Sequence, residues 1–280
     1  MRLIFISLGT LLIVGLMWGI AHFWGLSQVY VPFESPFFAE SSSANPQSST
    51  SATAPATIAN SAAPKKWVVI PWEQNYFLEK IPDAILWADV YRGEADLLLV
   101  KPWVERNKPN RQLEKKSTST RPLLADLLTQ YSKARFVLNI TDNVEQIHEQ
   151  VANIIEQTKA SGRVIITSPY PVVINSIKDL KPMELYTNSS VDFVKMNFFE
   201  ALNLLPAMPF KYDIFFGPLM HRNTPIVTKD MVIELKRRHK KVLIGPIGNA
   251  EGLAKAKEVD ADGYFLADPI LWSSDTTSNK

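Results

Sequence analysis

Short apolar runs alternate with helical patterns through most of the chain beyond residue 65. Continuous runs rich in Val, Ile, Leu and Phe are typical of strands buried on both faces. They predict strands at 67–71, 97–101, 136–140, 164–168, 184–187, 213–217, 242–246 and 263–266. Apolar residues at helical spacing between them predict helices at 82–91, 122–131, 144–160, 193–205, 229–238 and 251–259. Strands that alternate with helices in this way indicate a parallel sheet.

The number of these units predicts a closed architecture. About eight strand–helix units in residues 66–272 predict an α/β domain of the (β/α)8 TIM-barrel type. An open, doubly wound sheet would show the same alternation, so the pattern alone leaves both architectures possible. Residues 273–280 carry no pattern and are predicted to form a flexible tail.

The N-terminal segment has a different pattern. Residues 3–26 form an almost unbroken apolar run whose only strongly polar side chain is His22. As a helix this run would measure ~36 Å, which exceeds the ~30 Å hydrocarbon core of a bilayer. It is also longer than the hydrophobic region of a cleaved signal peptide. We therefore predict a single-pass signal anchor in residues 1–26, with the lipid bilayer as a partner through residues 3–26.

Charge and composition next to the run predict the orientation of the anchor and a tether. Arg2 precedes the run and the next basic residue is Lys65, so the positive-inside bias places the N-terminus in the cytoplasm and the following domain outside it.

Ser, Ala, Thr and Pro dominate the segment that follows the apolar run. Because such a composition cannot build a core, residues 27–65 are predicted to form a disordered tether.

Overall composition excludes several functions. The formal net charge is only +2, which argues against binding to nucleic acid. The chain contains no cysteine, so disulfides, thiolate zinc sites and cysteine nucleophiles are excluded.

Several short motifs occur in an order that resembles a known family. They include Arg121-Pro-Leu-Leu-Ala-Asp-Leu-Leu, Arg135-Phe-Val-Leu-Asn-Ile and the closing run Val259-Asp-Ala-Asp-Gly-Tyr-Phe-Leu-Ala-Asp-Pro269. Together they resemble the glycerophosphodiester phosphodiesterases, TIM-barrel relatives of the phosphatidylinositol-specific phospholipases C. The resemblance extends over residues 66–270 and implies the same barrel.

The resemblance does not extend to the residues that the family uses for its chemistry. Its divalent cation is held by carboxylates, and two histidines move protons. The "E-x-D" ligand pair falls on Leu99 and Lys101, and the glutamate of "N-I-E-I-K" falls on Asn139. The opening "H-R-G" would lie near residues 71–73, where there is no histidine, and the second histidine has no counterpart. The resemblance therefore implies a degenerate member with no metal site and no cofactor.

A replacement site would lie at the C-terminal ends of the strands, where barrel enzymes build their sites. The candidates for catalysis are Glu73, Asp142 and His221, and the candidates for ligand binding are Lys101, Asn139, His221 and Arg222. Glu73 and Asp142 would form a carboxylate pair or supply ligands for a cation, although solvated loop residues or helix caps are the simpler interpretation, and Asp142 is placed to cap a helix. His221 and Arg222 suit an anionic ligand of the cell envelope, but an exposed loop is the simpler interpretation.

Three functional hypotheses follow. The preferred one is a pseudoenzyme, a membrane-anchored extracytoplasmic barrel that serves as a non-catalytic binding or scaffold module. The second is an active phosphoric diester hydrolase acting on glycerophosphodiesters or lipid head groups with relocated ligands such as Glu73 and Asp142, and a divalent cation is expected only in this case. The third is a carbohydrate- or lipid-processing barrel that uses the same acids as a general acid and base.

Overall fold

The computed structural model describes residues 2–31, 35, 37–38, 66–93, 96–105, 121–221 and 224–272, and it describes side chains in the first helix from Leu11 onward. The strands are β1 (Trp67–Pro71), β2 (Ile85–Arg92), β3 (Leu98–Lys101), β4 (Arg135–Ile140), β5 (Val164–Thr167), β6 (Leu185–Tyr186), β7 (Ile214–Gly217), β8 (Met220–His221), β9 (Thr224–Pro225), β10 (Lys241–Ile247) and β11 (Gly263–Leu266). The α-helices are α1 (Arg2–Ser27), α2 (Leu124–Gln130), α3 (Ile147–Gln157), α4 (Pro171–Leu180), α5 (Ser190–Ala201), α6 (Lys229–Arg237) and α7 (Ala250–Glu258). Short 3₁₀ helices span Trp72–Glu79, Trp103–Glu105 and Leu205–Ala207.

Eight parallel strands form a nearly closed barrel, which confirms the TIM-type prediction. The strands pair in the order β6-β5-β4-β2-β1-β11-β10-β7, and a bridge between Thr187 and Ile214 joins the two ends of the sheet. Around the barrel, the strands follow one another in chain order. The open-sheet alternative is therefore wrong.

Side chains alternate between two separate apolar clusters along each barrel strand. One cluster packs the strands against the surrounding helices and contains residues such as Ile70, Leu138 and Ile244. The other fills the barrel interior and is formed by Val69, Ile85, Trp87, Val137, Ile165, Leu185, Ile214, Leu243 and Phe265. Burial on both faces explains why these strands show continuous apolar runs.

Two elements differ from the predictions in a way that matters for the site. The helix predicted at 82–91 is wrong, because Ile85–Arg92 is the second barrel strand, and its residues Ile85 to Tyr91 are all buried. The predicted strand at 97–101 exists as β3, but it runs antiparallel to β2 and is not one of the eight barrel strands. A third difference is helix α4, which was not predicted although Pro171 stands at its start, where proline is favoured.

The N-terminal opening of the barrel is filled by aromatic residues from the segment that was predicted to be a tether. Phe37 is buried and belongs to the interior cluster, and Phe38 stacks on Trp67 with ring centroids 4.8 Å apart. The Arg135 guanidinium lies 5.3 Å from the Phe37 ring and donates a hydrogen bond to the Phe37 carbonyl oxygen. Residues 39–65 of the predicted tether lie outside the described residues, as does the predicted tail 273–280.

The predicted anchor segment is helical, as α1. Over the described part of the chain, no helix is both long enough and apolar enough to cross a membrane.

Candidate functional site

Four polar side chains from the first elements of the barrel meet at its C-terminal end. Glu73 lies in the 3₁₀ helix that follows β1, Asp89 lies in β2, Lys101 ends β3 and Asn139 lies near the end of β4. Sequence reasoning identified Glu73, Lys101 and Asn139. It missed Asp89, because the segment that carries it was predicted to be a helix.

Asp89 is the centre of this group. Its Oδ1 accepts a hydrogen bond from the Trp87 indole nitrogen at 2.8 Å and another from Nδ2 of Asn139 at 2.7 Å. Asp89 is only 4% exposed, and Lys101, directly opposite in the β2–β3 ladder, is 3% exposed. Cross-strand partners present their side chains on the same face of a sheet. A buried aspartate and a buried lysine are therefore cross-strand neighbours, and the Lys101 Nζ lies 5.6 Å from the centroid of the Tyr91 ring.

Glu73 supplies the second carboxylate of the group. One oxygen, Oε1, accepts a hydrogen bond from the backbone N–H of Trp103. The other oxygen, Oε2, is buried and has no hydrogen-bond partner among the described residues. Burial raises the pKa of Glu73, and the negative charge of Asp89 raises it further. The site thus holds one carboxylate that is well satisfied and one that is half satisfied.

Aromatic rings cover the barrel interior beneath these polar groups. Trp87 stacks on Phe265 with centroids 4.5 Å apart, and Trp103 meets the same ring edge-on at 4.7 Å. Phe216 lies 5.0 Å from Trp87 and 6.3 Å from Phe265. The Trp72 indole donates a 3.3 Å hydrogen bond to the Lys101 carbonyl oxygen. These rings exclude water from the inner side of the polar group.

The two residues predicted at the family's first ligand pair do not lie on a barrel strand. Leu99 and Lys101 lie on β3, which is not one of the eight strands of the barrel. Asn139 lies on β4, directly beside Asp89 of β2 in the parallel ladder. Of Asp89, Lys101 and Asn139, Asp89 alone is an acid.

The residues at this position do not fit a divalent cation. Such a cation needs several oxygen ligands, whereas Trp87 and Asn139 direct N–H groups at Asp89 and Lys101 adds a positive charge. Among the described residues, no group of three or more His, Asp or Glu side chains could hold a metal ion.

Asp142 and the backbone of His221 lie elsewhere along the same end. Asp142 Oδ2 accepts a 2.8 Å hydrogen bond from the backbone N–H of Arg92. It does not cap a helix, because α3 begins at Ile147. His221 lies in the β8–β9 hairpin, but its side chain is outside the described part of the structure, as is all of Arg222.

Polar groups at the ends of the later strands are tied to one another. The Ser168 hydroxyl donates to the Ile140 carbonyl oxygen at 2.7 Å, and the Thr187 hydroxyl donates to that of Thr167 at 2.6 Å. The Asn188 side chain accepts a bond from the backbone N–H of Phe216 and donates one to its carbonyl oxygen. Because their hydrogen bonds are made internally, these groups stabilise the closed barrel.

A cleft of about 270 Å³ opens at the same end of the barrel, beside the start of α7. Its lining includes Met220, Asn249 and Lys255. Asn249 caps α7 through the Gly252 N–H, and Lys255 forms an ion pair with Glu251 at 2.7 Å. The cleft adjoins the hairpin that carries His221.

No protein-family model and no curated protein sequence matches this chain. Solved structures do match, over about three quarters of the chain. A glycerophosphodiester phosphodiesterase from Parabacteroides distasonis aligns with a TM-score of 0.58 at 10% identity, covering 76% of this chain and 98% of that one. An enzyme of the same description from Agrobacterium tumefaciens aligns at 0.54 and 12% identity, covering 75% and 99%. A glycerophosphoryl diester phosphodiesterase domain from Mycobacterium tuberculosis aligns at 0.55 and 12% identity, covering 76% and 98%.

These similarities confirm the resemblance at the level of the fold. The barrel is that of the glycerophosphodiester phosphodiesterases, and the alignments extend over nearly the whole of the matched chains. At such low identities the similarity shows the fold alone.

Proposed function

We propose that this chain is a membrane-anchored, extracytoplasmic barrel that binds a ligand or partner without catalysing a reaction. The observation that carries the proposal is the network of Trp87, Asp89 and Asn139. Two N–H donors occupy one carboxylate oxygen of Asp89, at the end of the barrel where barrel enzymes build their sites. The chain has the fold of the glycerophosphodiester phosphodiesterases, and within the described ranges no group of three or more His, Asp or Glu side chains could hold a cation.

The charges of the site support binding rather than hydrolysis. In the family, the cation stabilises charge on the phosphoryl oxygens. Here Lys101, the cross-strand neighbour of Asp89, provides a fixed positive charge. Unlike a metal ion, a lysine side chain cannot coordinate a substrate oxygen and polarise it. We propose that this end of the barrel binds an anionic envelope ligand, with the predicted pair His221 and Arg222 as further contacts.

A second function, phosphoric diester hydrolysis with relocated residues, has one observation in its favour. Glu73 has a raised pKa and lies close enough to Asp89 to feel its charge. A carboxyl group with a raised pKa is suited to act as a general acid near neutral pH. In this alternative, Glu73 would donate a proton to a leaving oxygen.

Membrane anchoring is the third element of the proposal. It is supported by the apolar run at 3–26 and by the absence of basic residues between Arg2 and Lys65. In this topology the N-terminus is cytoplasmic and the barrel is extracytoplasmic.

Hydrolysis of a panel of glycerophosphodiesters by the full chain in detergent separates the two functions. The assay is run with Ca²⁺ or Mg²⁺ and again with chelator, on the wild type and on Glu73→Gln. We expect no turnover in any condition. Turnover that is lost in Glu73→Gln would establish the hydrolase, and turnover that is lost with chelator would show that the ligand mapping is wrong.

A reversion experiment tests the network directly. Trp87→Glu combined with Asn139→Glu restores two acids next to Asp89. We expect this double variant to bind Tb³⁺ at least tenfold more tightly than the wild type, detected by luminescence sensitised by nearby tryptophans. The matched control, Gln130→Glu with Gln157→Glu, adds the same charge at exposed positions and should leave the affinity unchanged. Tight Tb³⁺ binding by the wild type would contradict the proposal.

A further inference from the structure

The last turns of α1 dock on the N-terminal end of the barrel, opposite the candidate site. The Trp18 indole donates a 2.9 Å hydrogen bond to the Leu202 carbonyl oxygen, and His22 Nδ1 lies 2.9 Å from the carbonyl oxygen of Asn203. Both acceptors lie just beyond α5, in the connection to β7. Because helices of the barrel run antiparallel to its strands, this connection lies at the N-terminal end.

Arg237 closes the C-terminus of α1. Its guanidinium donates hydrogen bonds to the carbonyl oxygens of Gly25, Leu26 and Gln28 at 3.1–3.2 Å. The same group lies 5.3 Å from the centroid of the Tyr30 ring. The last carbonyls of a helix lack partners within the helix and carry its negative dipole end. A cation from the barrel therefore satisfies both the hydrogen bonding and the charge of this helix end.

The contact depends on a glycine. A Cβ atom at Gly25 would lie 2.2 Å from the carbonyl carbon and oxygen of Pro206. Gly19, two turns earlier in the same helix, has nothing within 4 Å of the corresponding position. Only glycine lets α1 approach the barrel backbone this closely.

The part of α1 that projects from the barrel is short. Side chains from Leu11 to Met17 are mostly more than half exposed, so this portion makes little contact with the barrel. From Leu3 to Met17 the helix measures ~22 Å, less than the ~30 Å hydrocarbon core. If α1 is inserted in the bilayer as proposed, its short projecting part therefore brings the rim of the barrel into the membrane interface.

The rim next to α1 is apolar. On the outer side of α5, Val194 and Phe198 are 66% and 59% exposed, and Leu202 follows them at the docking point. Val29 and Val31, just after α1, are 91% and 86% exposed. These side chains continue the apolar surface of α1 onto the barrel.

From this continuity we propose that the barrel is seated directly on the outer surface of the bilayer through this N-terminal rim, with the candidate site turned away from the membrane. The inference rests on the proposed membrane anchoring and adds an orientation to it. A site turned away from the bilayer suits a ligand in solution or on a facing surface, rather than a lipid head group of the membrane that anchors the chain.

The test uses the full chain reconstituted in phosphatidylcholine vesicles. Because the chain has no cysteine, single cysteines at Leu202 on the rim and at Tyr170 near the C-terminal end of β5 can each carry a fluorophore. Quenching by a nitroxide at the lipid head group is then measured. We expect at least threefold stronger quenching at position 202 than at position 170.

A glycine pair provides the matched comparison. Gly25→Ala should reduce quenching at position 202 toward the value at position 170, whereas Gly19→Ala should leave it unchanged. Flotation with the vesicles is measured for every variant. Protein that does not float would overturn the anchoring and the seating together. Protein that floats but shows equal quenching at both positions, or no difference between the two glycine variants, would overturn the seating alone.

Discussion

The two ends of the barrel satisfy their polar groups in different ways. At the N-terminal end, arginines bind backbone carbonyls. Arg163 reaches those of Leu128 and Ala134, and Arg238 reaches those of Leu205 and Met208. At the C-terminal end, side chains bind one another around Asp89, and Glu73 Oε2 is left without a partner in the described structure.

This difference assigns the two ends different tasks. In TIM barrels the N-terminal face serves stability and the C-terminal face carries function. Here the N-terminal end is closed by Phe37, bound by arginines and docked to α1. The C-terminal end keeps an incompletely satisfied carboxylate, which folding alone would not favour. Substitutions should therefore be costly at the first end and inexpensive or favourable at the second.

The largest effect is expected from Phe37→Ala. Removing a buried phenylalanine costs about 3–5 kcal/mol, and Phe37 fills the N-terminal opening of the barrel. Denaturant unfolding of the full chain measures the loss. Phe38→Ala is the control, because the Phe38 ring is only half-buried and should cost about 1 kcal/mol. Equal costs for the two variants would show that the opening does not depend on Phe37.

Phe37 also shows what the sequence could not predict. Residues 27–65 have the composition of a disordered segment, and nothing in a local pattern shows that one aromatic ring finds a place inside a barrel. Its burial depends on an opening between the starts of β1 and β4, which exists only after the chain has closed on itself.

The strands of the barrel could be predicted because their local sequence does reflect their burial. Runs such as Phe136 to Ile140 are buried on both faces, so local apolarity reports the tertiary environment. The same rule failed at Ile85–Arg92. Trp87, Ala88 and Asp89 interrupt the aliphatic run, although all three are buried. Because Asp89 was assigned to a helix, the centre of the candidate site was missed while its neighbours Lys101 and Asn139 were found.

The next effect is expected from Arg238→Met. Arg238 is 3% exposed and its Nε donates a 2.6 Å hydrogen bond to Oε1 of Glu234. Removing one partner of a buried ion pair costs about 3 kcal/mol or more, although Arg237 still pairs with Glu234. Unfolding at pH 7 measures the loss. Lys255→Met removes an ion-paired lysine from the surface of α7 and should have no measurable effect; a similar loss there would contradict this comparison.

This ion pair also predicts a dependence on pH. Burial would raise the pKa of Glu234, but hydrogen bonds from Arg237 and Arg238 hold it below its usual value of 4.5. The stabilisation is therefore fully present above pH 4.5 and is lost as the pH falls through the lowered pKa. In Arg238→Met the pKa of Glu234 should move back toward or above its usual value, so the loss of stability in acid that Glu234 contributes should be smaller than in the wild type.

The smallest effect, and the one that tests the C-terminal end, is expected from Glu73→Gln. The raised pKa means that ionised Glu73 destabilises the folded state. Its favourable contribution is present below pH 4.5 and is lost as the pH rises through the folded pKa. Gln keeps an acceptor for the Trp103 N–H and carries no charge, so we expect a gain of about 1 kcal/mol at pH 7 that disappears in acid. The control is Glu79→Gln, an exposed position in the same 3₁₀ helix, which should leave stability unchanged. A loss of stability in Glu73→Gln at neutral pH would mean that the carboxylate stabilises the fold, and the contrast between the two ends would no longer hold. A gain would mean that the chain retains a residue at a cost to its stability, as expected where a ligand meets it.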